Sequence, residues 1–129
     1  MGAQGPYSIL ALVEDEVDLR VLIRITLRKD DRLELKGEAE SAEEAIELAR
    51  ELAPALVILD HSLVGTMTGL EAAPAIKAVA PGAKILLFTA HDLHAEAASE
   101  PAIDRFLRKD NLPQLLRTVE EMLDLEPVA

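Results

Sequence analysis

The chain has no cysteine and no tryptophan, and only one tyrosine and two phenylalanines among 129 residues. Without cysteine there is neither a disulfide framework nor a thiolate to act as nucleophile or metal ligand. With so few aromatics, the core must be built from Ala, Val, Ile and Leu. Half of the residues are hydrophobic, which argues for one packed domain rather than disorder. Cations are also scarce: 13 Lys and Arg stand against 24 Asp and Glu, for a formal net charge of -11. Phosphate backbones need clustered Lys and Arg, so this domain by itself is not expected to touch nucleic acid directly. The acidity alone reads as solubility. No apolar run approaches the roughly 20 residues of a membrane span, so no membrane contact is expected. Met1-Gly2 is a poor myristoylation match, because Pro6 stands where Ser or Thr is wanted. Residues 1–7 lack the apolar stretch of a signal peptide and are expected to be a disordered lead-in.

What is present is an alternation. Apolar runs at 8–13, 33–38, 55–60, 83–89 and 103–108 are separated by helical patterns at about 16–29, 41–53, 69–79, 92–100 and 111–124. That rhythm predicts an α/β domain with a doubly wound, five-stranded parallel sheet. The first, third and fourth runs are continuously apolar, as strands buried on both faces should be. The second and fifth are mixed and read as edges. This matches the 2-1-3-4-5 strand order of the flavodoxin-like (βα)5 fold. Ser41 to Glu44 reads as a capping box for the second helix. Pro74 inside the third predicts a late start or a bend. Asp92 is the candidate N-cap of a short, Ala-rich fourth helix, expected to be the least stable. The first helix spreads Val17, Leu19, Val21, Leu22, Ile23, Ile25 and Leu27 over a wide arc, which predicts packing between two neighbouring helices, with a dimer surface as the alternative.

Polar residues close four of the apolar runs. Glu14-Asp15 follow the first, Asp60 ends the third, Thr89 ends the fourth and Lys109 follows the fifth. The C-terminal edge of a parallel sheet is where such folds bind ligands. Acids, a hydroxyl and an ammonium converging on one rim suit a divalent cation and a phosphoryl group. Each residue has a blander reading. Glu14 and Asp15 would favour a helix dipole as first-turn acids. Thr89 would be a β-branched strand end, Lys109-Asp110 a solvated turn, and Phe106 core. Only the joint arrangement points to function.

Together these residues resemble the receiver domain of two-component response regulators, over residues 8–124. The resemblance implies that Asp60 is a nucleophile forming an aspartyl phosphate, that Lys109 pairs with a phosphoryl oxygen, and that Thr89 hydrogen-bonds another. It implies a Mg²⁺ site made by Asp15, Asp60 and the backbone carbonyl of Ser62, with Glu14 acting through a coordinated water. It implies an aromatic switch in which Thr89 moves and Phe106 follows. The implied function is a cytoplasmic phosphorelay switch rather than an enzyme, one that promotes its own phosphorylation and dephosphorylation. The implied partners are a sensor histidine kinase or phosphotransfer protein, and an output domain or partner protein on the face formed by the fourth helix, fifth strand and fifth helix, which includes Arg105 and Arg108. Homodimerisation is left open. The domain is expected to span 8–125, with a tail at 126–129 and no output domain following it.

The departures are Glu14 where Asp is commoner, Val64 at a place often Pro, and Asp110 where many receivers have Pro after the Lys. The segment from Thr89 to Lys109 is slightly short, again pointing to a reduced fourth helix. Lys109 is read as an exposed rim residue that adds little to folding. Two other enzyme-like or cofactor-binding readings fit less well. A flavodoxin-type phosphate loop would not begin Glu14-Asp15-Glu16, and an aspartyl-phosphate hydrolase of the haloacid-dehalogenase type would need a second acid where Asp60-His61-Ser62 has none. The remaining alternative is a pseudo-receiver that docks constitutively without phosphorylation. His61, His91 and His94 form no zinc pattern and read as surface or rim residues.

Overall fold

The computed structural model describes residues 8–128; the expected lead-in, residues 1–7, and Ala129 of the tail lie outside the described residues. Five strands, β1 (Ser8–Val13), β2 (Leu33–Ala39), β3 (Leu56–Leu59), β4 (Lys84–Thr89) and β5 (Arg105–Arg108), pair in parallel in the order β2-β1-β3-β4-β5. The helices between and after them are α1 (Val17–Leu27), α2 (Ala42–Leu52), α3 (Gly69–Val79), α4 (His94–Ala98) and α5 (Leu115–Met122). The mixed runs are the edges: each is paired on one flank only, and neither is buried throughout as β3 is.

Side chains alternate across a strand, and here the alternation sorts the core into two layers. Leu10, Leu12, Leu56, Ile58, Leu86 and Phe88 pack with Ile23 and Leu27 of α1 and with Leu115, Val119 and Met122 of α5. Ala11, Val13, Val57, Leu59, Ile85 and Leu87 face α2 and α3 through Ala42, Ala45, Ala49, Ala72, Ala73 and Ile76. The second layer is alanine-rich, so those helices approach closely. Each fully buried Leu or Ile contributes about 1.5–3 kcal/mol.

Local chemistry sets the helix ends, not always as the sequence predicts. Ser41 caps α2 by accepting from Glu44 N at 3.1 Å, but Glu44 reaches back to Glu40 N rather than to Ser41. The complete capping box belongs to α3: Thr68 accepts from Glu71 N at 3.2 Å and Glu71 accepts from Thr68 N at 2.9 Å. That box starts α3 at Gly69, so Pro74 lies inside the helix and the expected late start does not occur. Leu93, not Asp92, is the N-cap of α4, and it offers no side-chain bond. The final helical pattern divides into a 3-10 turn over Lys109–Gln114 and then α5, because Asn111 leaves helical geometry and Pro113 cannot donate.

The first helix is the largest correction. Only Ile23 and Leu27 are buried on α1, while Val17, Val21, Leu22 and Ile25 are exposed, Val17 at 61%. The wide apolar arc therefore has one covered side and one open side.

At the opposite end of the sheet from the rim, Arg32 forks onto the buried Asp30 at 2.9 and 2.7 Å and also reaches the main-chain oxygen of Glu126. Glu120, also buried, accepts from Val128 N at 3.2 Å. The Arg32 hydrogen bond holds Asp30 down at about 2, against the cost of burial. Burial and the neighbouring Asp30 push Glu120 up. A lowered carboxyl stabilises the fold above its unfolded value and loses that contribution as pH falls. Arg32→Ala should therefore destabilise the fold at neutral pH and flatten the acid limb of the stability curve between about pH 5 and 2. Urea unfolding across that range checks this, and parallel curves for variant and parent would contradict it.

Candidate functional site

The rim residues are carried by strand ends that the sheet aligns. Asp60 continues β3 beside β1, its N–H donating to Val13 O at 3.0 Å, and Glu14 continues β1 beside β2, its N–H donating to Ala39 O at 2.9 Å. Lys109 follows β5 directly and reaches back across the edge. Its Nζ lies 2.9 Å from Asp60 Oδ2 and 3.0 Å from Glu14 Oε1. The other carboxylate oxygen, Asp60 Oδ1, accepts from His61 N at 2.7 Å. Glu14 also accepts from Glu16 N at 3.1 Å. Asp60 is thus fixed by one donor on each oxygen.

The backbone below it is equally constrained. A Cβ at Gly69 would come within 2.1 Å of the Asp60 main-chain oxygen, and Gly69 N donates to His61 O at 2.9 Å. Only glycine lets the first turn of α3 pass this close to the carboxylate's own peptide.

Burial makes the electrostatics sharp. The side chains of Glu14 and Asp60 are 1% and 3% exposed, and that of Lys109 is 17%. Lys109 is therefore not the open rim residue that the sequence predicts. Burial raises the Glu14 carboxyl above its ordinary value, the Asp60 charge adds to this, and the Lys109 hydrogen bond opposes it. Burial by itself would lower the Lys109 ammonium, but hydrogen bonds to Asp60 and Glu14 outweigh it and the net direction is up. His61 is lowered, first by burial and then by His91.

Glu14, Asp15 and Asp60 each offer an oxygen, and these oxygens lie within 4.8 Å of one another. Hard carboxylate donors, two enclosed and one open, fit an oxygen-seeking divalent cation. Thr89 is fully buried at the end of β4, where its hydroxyl accepts a long 3.4 Å bond from His91 N. Ser62 has its hydroxyl 2.7 Å from His91 Nε2. Phe106, on β5, pairs with Leu87 of β4 and meets the edge of His94 with ring centroids 5.9 Å apart. The rim thus gathers Glu14, Asp15, Asp60 and Lys109 directly, with Thr89 and Ser62 beside them. His91, read from sequence as a surface or rim residue, stands at the rim, where its ring meets the Ser62 hydroxyl. The available signal was spacing: it follows Thr89 by two residues, as Ser62 follows Asp60.

A parallel α/β sheet with a buried acid, a paired ammonium and an acidic cluster at its C-terminal edge defines a class, and comparison with known proteins agrees. The family model described as "Response regulator receiver domain" matches residues 10–120, so the chain belongs to the response regulator receiver domain family. It is 31% identical over 124 residues to the nitrate/nitrite response regulator NarL of Escherichia coli K12, covering 94% of this chain and 56% of that protein. It is 33% identical over 99 residues to the response regulator VraR of Staphylococcus aureus NCTC 8325, covering 75% and 47%. The chain thus spans about half the length of these relatives. A two-component response regulator of the LuxR family from Aurantimonas sp. SI85-9A1 superposes with TM-score 0.80 at 28% identity, covering 94% of this chain and 89% of that one. The signal receiver domain of a NarL response regulator from Mycobacterium tuberculosis shares the fold at TM-score 0.82 and 23% identity, covering 92% and 98%.

Removing the ammonium leaves two enclosed carboxylates facing each other. Lys109→Ala should lose about 3 kcal/mol at neutral pH. Part of that loss should return on acidification, because a raised carboxyl such as Glu14 stabilises the fold in its protonated form, below its folded pKa. Thermal unfolding at pH 5 and 7.5 measures both effects. A midpoint equal to the parent's at both values would show Lys109 to be structurally idle.

Proposed function

We propose that Asp60 accepts a phosphoryl group from a phosphohistidine of a sensor histidine kinase or phosphotransfer protein, and that the resulting aspartyl phosphate switches a protein-interaction surface. The observation that carries this reading is the buried Asp60 carboxylate, oriented by Lys109 and His61 next to a cation cradle. A carboxylate oxygen forms the new bond to phosphorus as the donor's P–N bond breaks, and the imidazole leaves with the electron pair. Lys109, already 2.9 Å from Asp60, stays to pair with a phosphoryl oxygen. The Thr89 hydroxyl is the donor for another. Asp15, Asp60 and the Ser62 carbonyl are the ligands proposed for Mg²⁺, with Glu14 acting through a water. Bound there, Mg²⁺ would neutralise phosphoryl charge and the repulsion among the acids. The protein is a signalling domain acting on its own aspartate rather than an enzyme with a separate substrate, and its place is the cytoplasm.

For the readout, Thr89 turning toward the phosphoryl group vacates space that Phe106 fills. The face built by α4, β5 and α5, with Arg105 and Arg108, then meets an output domain or partner. The net charge of -11 disfavours direct contact between this domain and DNA. A LuxR-family structure from Staphylococcus aureus is described as a DNA-binding response regulator, which favours transcription as the output of the whole protein, through a separate domain. The bare aliphatics of α1 favour homodimerisation as a further use.

Incubation with acetyl phosphate and Mg²⁺ should add one phosphoryl mass to the parent and none to Asp60→Asn; undiminished labelling of the variant would sink the assignment. Mg²⁺ should perturb amides at 14–16, 60–63 and 109, and Asp15→Asn should weaken that titration several-fold. Hydrogen exchange with a stable phosphoryl mimic should change mainly over 89–110. Changes confined to α1 and α2 would overturn the proposed readout while leaving Asp60 in place.

A further inference from the structure

Two acids outside the rim are buried, and the signalling reading uses neither. Asp30, in the turn between α1 and β2, is 0% exposed, and Glu120, on α5, is 2% exposed. Arg32 forks onto both Asp30 oxygens, at 2.9 and 2.7 Å, and stands 3.7 Å from Glu120 Oε2. The two acids also hydrogen-bond each other through their side chains. An ionised carboxylate only accepts, so that bond requires a proton on one of the two. The Arg32 fork holds Asp30 in its charged form, so the proton belongs on Glu120. Glu120 is in turn the anchor for the chain beyond α5. Asp124 takes a left-handed turn (φ 58°), Leu125 N donates to Glu120 O at 2.9 Å, and Val128 N donates to Glu120 Oε2 at 3.2 Å. Arg32 completes the hold by donating to Glu126 O.

We propose that one proton shared between Asp30 and Glu120 clasps residues 125–128 to the end of the sheet opposite Asp60, and that loss of this proton to solvent frees the segment while the rest of the domain stays folded. Once Glu120 is ionised, two enclosed negative charges face one guanidinium that is already forked onto Asp30. Such a pair is unfavourable where water is scarce. Glu120 relieves it by swinging toward water, and the bond to Val128 goes with it. The groups that face Glu120 from the turn between α1 and β2 are Asp30 and Arg32, with the exposed Asp31 acting on Arg32. From β4, Lys84 donates to Met122 O at 2.5 Å. On α5 itself, Glu121 is turned to Arg105 and Arg117, and in the segment Asp124 and Glu126 are exposed. Burial and then the Asp30 hydrogen bond raise Glu120, whereas the Arg32 hydrogen bond lowers Asp30 to about 2. A raised carboxyl stabilises the docked state in its protonated form, so that hold is lost as pH rises through the folded-state value of Glu120. A lowered carboxyl contributes in its charged form, so the Asp30 share is lost as pH falls toward about 2. The clasp is closed between those two limits. It does not depend on Asp60 being the phosphoryl acceptor.

The test follows the full chain by NMR between about pH 4 and 9, reading the side-chain carboxyl carbons of Asp30 and Glu120 and the amide of Val128. Glu120 should titrate in one step above its ordinary value, with Asp30 charged throughout. Across that step the protection of the Val128 amide should fall by about three- to ten-fold, the range that one net hydrogen bond supports, while core amides such as that of Leu86 keep theirs. Glu120→Gln keeps a donor for Asp30 and an acceptor for Val128 but has no proton to lose, so its segment should stay docked at every pH. Glu120→Ala should leave the segment free at every pH. Asp60→Asn should behave as the parent does. A Val128 amide equally protected on both sides of the Glu120 step would show that Arg32 takes up the new charge, and would overturn the clasp. So would a Glu120 that titrates at its ordinary value, or a Gln variant that releases the segment with the parent's pH dependence.

Discussion

One ammonium group sets the terms for the rim. Lys109 sits about 3 Å from two carboxylates that water barely reaches. Two such acids side by side would each disfavour the other's ionisation, and burial would press both toward the neutral form. The lysine is what keeps a charged carboxylate tenable there. Burial still holds Glu14 above its ordinary value, although Lys109 and the Glu16 N–H each meet one of its oxygens. The site thus carries the electrostatic imbalance that a divalent cation and a phosphoryl group together would relieve.

The scaffold beneath is arranged so that this pair cannot drift. Asp60 is pinned by β1 through Val13, its peptide oxygen is crowded by the glycine that opens α3, and α3 is started by a reciprocal cap one residue earlier. By contrast, the side of the rim toward α4 is loosely built. That helix has five residues, no side-chain cap and one buried alanine. Rigid support under the Asp60 carboxylate and a weakly held element beside Thr89 form a division suited to a switch, since elements of low local stability are the ones that move.

How far this could be read from residues alone depends on the kind of signal. Strand order and the edge positions of β2 and β5 followed from continuous against mixed apolar runs, because burial on two faces leaves no room for polar side chains. Asp60, Lys109 and Glu14 were visible because each ends or follows an apolar run, which places it on one edge whatever the loops do. Burial of Lys109 was not visible, because it depends on two side chains from other strands closing over it. The reciprocal cap at Thr68 was not legible, although the helix span of about 69–79 was, because Pro74 left a late start and a bend equally open. The open side of α1 escaped for a related reason: periodicity reports how wide an apolar arc is, but not how many neighbours are there to cover it.

That open side of α1 has a consequence for the chain as a colloid. Four bare aliphatic side chains sit on a body with a net charge of -11. Like charge keeps two such bodies apart at low ionic strength, while the aliphatic patch favours their contact at short range. Salt weakens the first force without weakening the second, since screening shortens to about 8 Å at physiological strength. The molecule is thus balanced so that its tendency to meet a second apolar surface rises, rather than falls, as ionic strength increases.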